Sequence, residues 1–149
     1  MTAATQPSPS AGAVPAVAGI SHVGLTVRDV LASEAWYAEV LGLVRAFIEP
    51  HATGDGYAVV MTRPGTALFL GLDHHPEAGG EPFSPLRTGL DHLALHLPTR
   101  EDLNEWIAHF NAVGVEHEDL FETAEPVPHA LVQVRDPDGI PIELFWVGD

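Results

Sequence analysis

Apolar and polar residues alternate along GISHVGLTV (residues 19–27) and again along GLDHLALHL (89–97). A period of two is the signature of a strand with one buried face. In the second run Leu93, Leu95 and Leu97 share a face with Asp91, while Leu90, His92, Ala94 and His96 share the other. The two runs are copies: Gly19 falls on Gly89 and His22 on His92, 70 positions apart. A helix follows each. Asp29 and Thr99 stand where N-caps belong, and Leu103, Trp106, Ile107 and Phe110 form one apolar stripe at i, i+3, i+4, i+7. Gly42 and Gly114 supply the matching stop signals.

Three short strand-like runs follow each helix: 43–49, 57–62 and 66–72 in the first half, then 116–121, 130–135 and 140–147. HATGDG, TRPG and DPDG separate several of them as turns. DPDG lacks the further oxygen ligands of a calcium loop, so it reads as a turn. The pattern predicts an α+β fold: a βαβββ module written twice in tandem and building a curved mixed sheet. The modules span 18–72 and 89–147 of a single domain (18–149), joined by a Pro/Gly-rich linker at 73–88. Residues 1–17, rich in Ala, Pro and Ser, read as a disordered tail without the basic start or long apolar stretch of a secretory signal.

Alternation also sorts the side chains by face. With Gly65 set on Gly139, Leu68 falls on Ile142, Leu70 on Leu144 and Phe69 on Glu143. Val23, Leu25, Leu68, Leu70, Leu93, Leu95, Ile142 and Leu144 then point at the helices. His22, Thr26, Phe69, His92, Ala94, His96, Glu143 and Phe145 point to a concave face. Three of these, His22, His92 and Glu143, are metal-ligating types at corresponding places. Two imidazoles and one carboxylate leave open coordination positions on a divalent ion such as Fe, Mn, Zn, Ni or Co. His96 shares the face and is the acid–base candidate beside Glu143. Phe69, Thr26 and Phe145 are the candidate ligand contacts. His74 and His75, in the linker, read as exposed loop residues.

Composition narrows the partners. Six Lys plus Arg stand against 21 Asp plus Glu, a formal charge of −15. Nucleic acid and anionic membranes demand the opposite sign. No cysteine is present, which removes thiolate catalysis and Cys-based zinc sites. No apolar run approaches a membrane span. The cytoplasm is the default location.

The doubled module, a histidine in each first strand and the closing RDPDGIPIELFW together resemble the vicinal oxygen chelate superfamily, over residues 18–147. Its members include glyoxalase I, extradiol dioxygenases, fosfomycin-resistance thiol transferases and bleomycin-resistance binding proteins. The resemblance implies one divalent metal at His22, His92 and Glu143. Two functions of different class follow: a metal-dependent dioxygenase, lyase/isomerase or group transferase acting on a small oxygen-rich molecule, or a protein that sequesters an antibiotic without turnover. Glyoxalase I would need a carboxylate or glutamine where the alignment puts Phe69, so that activity is not expected. A four-stranded curved sheet with a helix on one side leaves its concave face open. The expected solution is a homodimer in which His22 of one chain meets His92 and Glu143 of the other.

Overall fold

Ten elements follow one another in a computed structural model whose described residues are 15–148. They are β1 (Val23–Thr26), α1 (Val30–Leu41), β2 (Val44–Pro50), β3 (Tyr57–Thr62), β4 (Phe69–His74), β5 (Leu93–His96), α2 (Asp102–Val113), β6 (Phe121–Thr123), β7 (His129–Arg135) and β8 (Pro141–Val147). The order is the expected βαβββ, twice. Each module is a four-stranded mixed sheet, β1-β4-β3-β2 and β5-β8-β7-β6, with the first strand parallel to the last and the others antiparallel. Residues 1–14 of the expected tail lie outside the described residues; 15–17 are exposed and without regular structure.

The first helix begins, and both helices end, where the sequence signals stand; α2 starts at Asp102 with Glu101 at its N-cap, two residues past the expected Thr99. The Asp29 carboxylate accepts from the backbone N–H groups of Leu31 and Ala32. Thr99 and Asp102 exchange side-chain and backbone hydrogen bonds, a capping box ahead of α2. Gly42 and Gly114 close the helices in the left-handed region, at φ 66° and 71°. One hydrophobic core serves both modules: Leu25, Tyr37 and Leu72 from the first, with Leu103, Phe110 and Ile142 from the second. Each helix packs on its own sheet and the two helices touch, with His109 Nε2 3.0 Å from the Val40 carbonyl. The opposite faces of both sheets therefore look away from the core.

A buried polar anchor ties the modules together. The Tyr37 hydroxyl on α1 donates to Asp136 in the β7–β8 turn at 3.0 Å. The other oxygen of Asp136 accepts from the backbone of Asp138 and Ile140. Asp138 in turn pairs with Arg28 just past β1. DPDG is thus a structural turn whose two aspartates are buried and satisfied.

Four expectations need correction. The first strand of each module is shorter than its alternation suggests, so His22 and His92 lie one residue ahead of β1 and β5. Pairing starts at Val23 with Leu70 and at Leu93 with Ile142, next to the first residues of β4 and β8, one of which is Pro141 with no N–H to offer. The strand expected at 116–121 is reduced to β6 and one bridge, His117 with Val134; acidic EHED is poor strand material. In the first module β4 continues to His74, past the expected boundary at 72.

The fourth correction is one of register. Gly71 pairs with Gly24 as Glu143 pairs with Ala94. The counterpart of Glu143 is thus Gly71, two residues beyond Phe69. Leu70 follows Gly65 by five residues, whereas its counterpart Ile142 follows Gly139 by three. The extra length sits in a turn where Thr66 N–H donates to the Arg63 carbonyl and Leu68 N–H to the Thr66 hydroxyl. A shift of two preserves the faces. Leu70, Leu72, Ile142 and Leu144 are buried, and Phe69 is open.

Candidate metal and ligand site

The open face of the second sheet holds the tightest group of expected site residues. His92 precedes β5, and its Nδ1 lies 2.7 Å from Asp91 Oδ1. Its Nε2 lies 3.6 Å from Glu143 Oε2 on the neighbouring strand β8. The hydrogen bond to Asp91 raises the His92 pKa above that of an ordinary histidine; burial opposes the shift and the Glu143 charge adds to it. A carboxylate behind a histidine fixes the ring and its tautomer, which leaves the far nitrogen as the ligand atom. Two donors each about 2.1 Å from one ion sit about 3–4 Å apart over the angles metals accept, so the 3.6 Å pair fits a divalent first-row ion.

His22 does not join this pair within one chain. Among the described residues, the sole group of three ligating side chains with donor atoms within 4.8 Å of one another is His51, Asp73 and His75. His22 instead lines an apolar cleft of about 610 Å³ with Phe69, His96, Leu93, Leu95 and Trp106. Thr26 borders a different cleft, with Arg28 and the linker segment around Phe83. Two of the three expected metal ligands therefore meet in the chain, and the third sits on the other module.

Phe145 and His96 lie opposite each other on β8 and β5. His96 is four residues from His92, about 13 Å along the strand, and one pleat repeat, about 6.6 Å, beyond the level of Glu143. His129 opens β7 beside Pro128, and its ring stacks on Phe145 with centroids 5.4 Å apart and 15° between planes. Phe121 adds a third ring 5.8 Å from His129. This face thus carries an aromatic platform beside the His92–Glu143 pair.

At the corresponding place in the first module there is no ligand side chain. A Cβ on Gly71 would lie 3.1 Å from Asp73 Oδ2, and one on Gly24 2.9 Å from the same atom. The Asp73 carboxylate fills the space that a side chain at 71 would occupy.

Comparison with known proteins follows this architecture. The family model of the Glyoxalase/Bleomycin resistance protein/Dioxygenase superfamily matches residues 19–144. Among solved structures, a glyoxylase/bleomycin resistance protein/dioxygenase domain from Frankia sp. EAN1pec is 28% identical, with a TM-score of 0.76 over 89% of this chain and 100% of that one. Lactoylglutathione lyase from Agrobacterium tumefaciens is 21% identical, with a TM-score of 0.66 over 88% of this chain and 95% of its own. An antibiotic binding protein from Streptomyces sp. CB03234 is 20% identical, with a TM-score of 0.63 over 91% and 100%. The last two similarities concern the fold. No curated protein matches the sequence. Among the described residues no helix is long and apolar enough to cross a membrane.

Proposed function

The chain belongs to the Glyoxalase/Bleomycin resistance protein/Dioxygenase superfamily, and from that premise we propose that it is a divalent-metal-dependent enzyme acting on a small oxygen-rich molecule. The reaction class is that of a dioxygenase, a lyase/isomerase or a group transferase. One observation carries the reading: His92 Nε2 and Glu143 Oε2 stand 3.6 Å apart with Asp91 holding the other side of the imidazole. A binding protein has no chemical need for that arrangement. His22 of the partner subunit completes the set in a homodimer, since the open faces of the two sheets in one chain look away from their shared core. When bound, the ion (Fe, Mn, Zn, Ni or Co) supplies Lewis acidity to two neighbouring substrate oxygens.

The protein's own groups do the rest. Glu143 holds the ion and is placed to accept a proton from a substrate beside it. His96, one pleat further, exchanges a proton with the distal part of the substrate. Phe145, stacked on His129, receives a flat substrate face, while Phe69, which shares a cleft with His22, and Thr26 come, as His22 does, from the first module of the partner subunit. Lactoylglutathione lyase activity is not proposed, because Gly71 offers no fourth ligand. The proposed location is the cytoplasm.

The aromatic platform favours one alternative: capture of a flat antibiotic without turnover. Two measurements on one preparation separate the readings. The enzyme predicts a divalent ion lost in His92→Ala, together with oxygen uptake or conversion that chelator abolishes when catechols and related diols are supplied. Ligand binding that survives full metal removal, with no turnover, would replace the enzyme by the sequestering protein.

A further inference from the structure

We propose that His51, Asp73 and His75 form a second divalent-cation site, at the far end of the first sheet and separate from the His92–Glu143 pair. His51 ends the β2 side of the β2–β3 hairpin, its N–H bonded to the Gly56 carbonyl at 2.9 Å. Asp73 lies near the end of β4 and His75 directly follows it. All three project to the open face, since they keep the parity of Glu49 and Gly71 along the pleat. His51 Nε2 lies 2.9 Å from Asp73 Oδ1. The His51 and His75 rings stand 4.6 Å apart. One ligand atom from each residue falls within 4.8 Å of the others.

Three glycines build the space. A Cβ at Gly56 would come to 2.3 Å from His51 Nδ1 and 2.8 Å from the His74 carbonyl, so only glycine lets the imidazole lie across the hairpin. Gly24 and Gly71 clear the other side, where any Cβ would press on Asp73 Oδ2 at 2.9 and 3.1 Å. Both His51 and Asp73 side chains are about four-fifths buried (21% exposed each) by these walls. The 2.9 Å separation of their donor atoms suits adjacent positions on an ion about 2.1 Å from each. His75 is exposed, and its ring lies against that of His51 with its ligand atom within 4.8 Å of the other two.

Two imidazoles and one carboxylate select a borderline first-row ion, Zn, Ni, Co or Cu, over magnesium or calcium. The site is independent of the one proposed for catalysis. Thr26 pairs with Asp73, and His22 is four residues away along that strand, about 13 Å. An ion here would clamp the hairpin to the first residues of the linker between modules.

The test uses Co(II) as probe, followed by its visible absorption and by calorimetry on the full chain. In a His92→Ala, Glu143→Ala background one Co(II) per chain should still bind. Adding His75→Ala, which alters an exposed side chain, should weaken that binding at least tenfold. Adding His51→Ala as well should abolish it. No Co(II) uptake in the background variant, or uptake indifferent to both histidines, overturns the proposal. The converse variant, His51→Ala with His75→Ala, reads the His92 site alone, so failure of either site is seen separately.

Discussion

Tyr37→Phe removes one oxygen from the junction between the modules, and its effect can be worked from the contacts. Tyr37 is fully buried and Asp136 is 5% exposed, so water cannot replace the lost hydrogen bond. Phenylalanine fills the same volume, so no cavity term enters. What remains is one hydrogen bond to a charged acceptor, about 1.5–3 kcal/mol. For a domain of this size that is a melting point lower by about 3–10 °C. The pH dependence carries a sign. Burial raises the Asp136 pKa above the ordinary carboxylate range, while the Tyr37 hydrogen bond pulls it down. Burial raises the Tyr37 pKa as well, and the neighbouring Asp136 adds to that, so the hydroxyl remains a donor. A carboxyl whose folded pKa is raised destabilises the fold as pH climbs from its unfolded pKa through the folded one. Without Tyr37 the rise is larger. The penalty of Tyr37→Phe must therefore grow from acid toward neutral pH. Urea unfolding at pH 7 and near pH 4 measures both values. A penalty under about 0.5 kcal/mol at pH 7, or one that is larger in acid, would refute this account of the anchor.

Asp91→Asn should lower the His92 pKa, read by NMR titration of the ring protons, and weaken divalent-metal affinity about tenfold, at the lower end for a ligand's hydrogen-bond partner because the pair is half exposed. The stabilisation that the raised His92 pKa gives is present in acid and lost as pH rises through that pKa, so the substitution should reduce stability in acid more than at pH 8. Gly56→Ala drives a methyl into His51 and the His74 carbonyl, and should destabilise the fold by about 1–3 kcal/mol in urea unfolding. It should also release His51 from Asp73, so Co(II) binding at the hairpin falls with it. Phe145→Ala should weaken capture of a flat aromatic ligand about fivefold, because the ligand loses the ring, held in place by His129, on which it stacks, while the metal content of the protein stays unchanged.

The doubled module was legible because its information is local. Alternation placed Leu25, Leu70, Ile142 and Leu144 inward, and capping residues marked both helices. The register of β4 was not, because Gly65 and Gly139 match in type while two added residues follow the first. Only backbone pairing across the sheet reveals that Gly71, not Phe69, stands where Glu143 does. His92 with Glu143 could be read from the repeat. His51 with Asp73 could not, since residues 22 apart meet only once the hairpin has folded beside β4. Their signal was faint: two histidines flanking the turns, with the strand parity of Asp73. His75 looked like an ordinary loop residue for the same reason. The Tyr37–Asp136 bond crosses 99 residues and left no mark on the pattern of either segment.

The central claim is a metal site shared between two chains, and subunit exchange tests it most directly. The work is done in a His51→Ala, His75→Ala background so that one kind of site is counted. His22→Ala protein and Glu143→Ala protein should each hold almost no metal alone. After mixing and exchange, half the dimers pair one of each, and every such dimer regains one intact site from His22 of one chain with His92 and Glu143 of the other. Metal content should rise to about a quarter of the unmutated level per chain. A mixture that stays empty, or a protein that remains monomeric at micromolar concentration, would contradict the shared site.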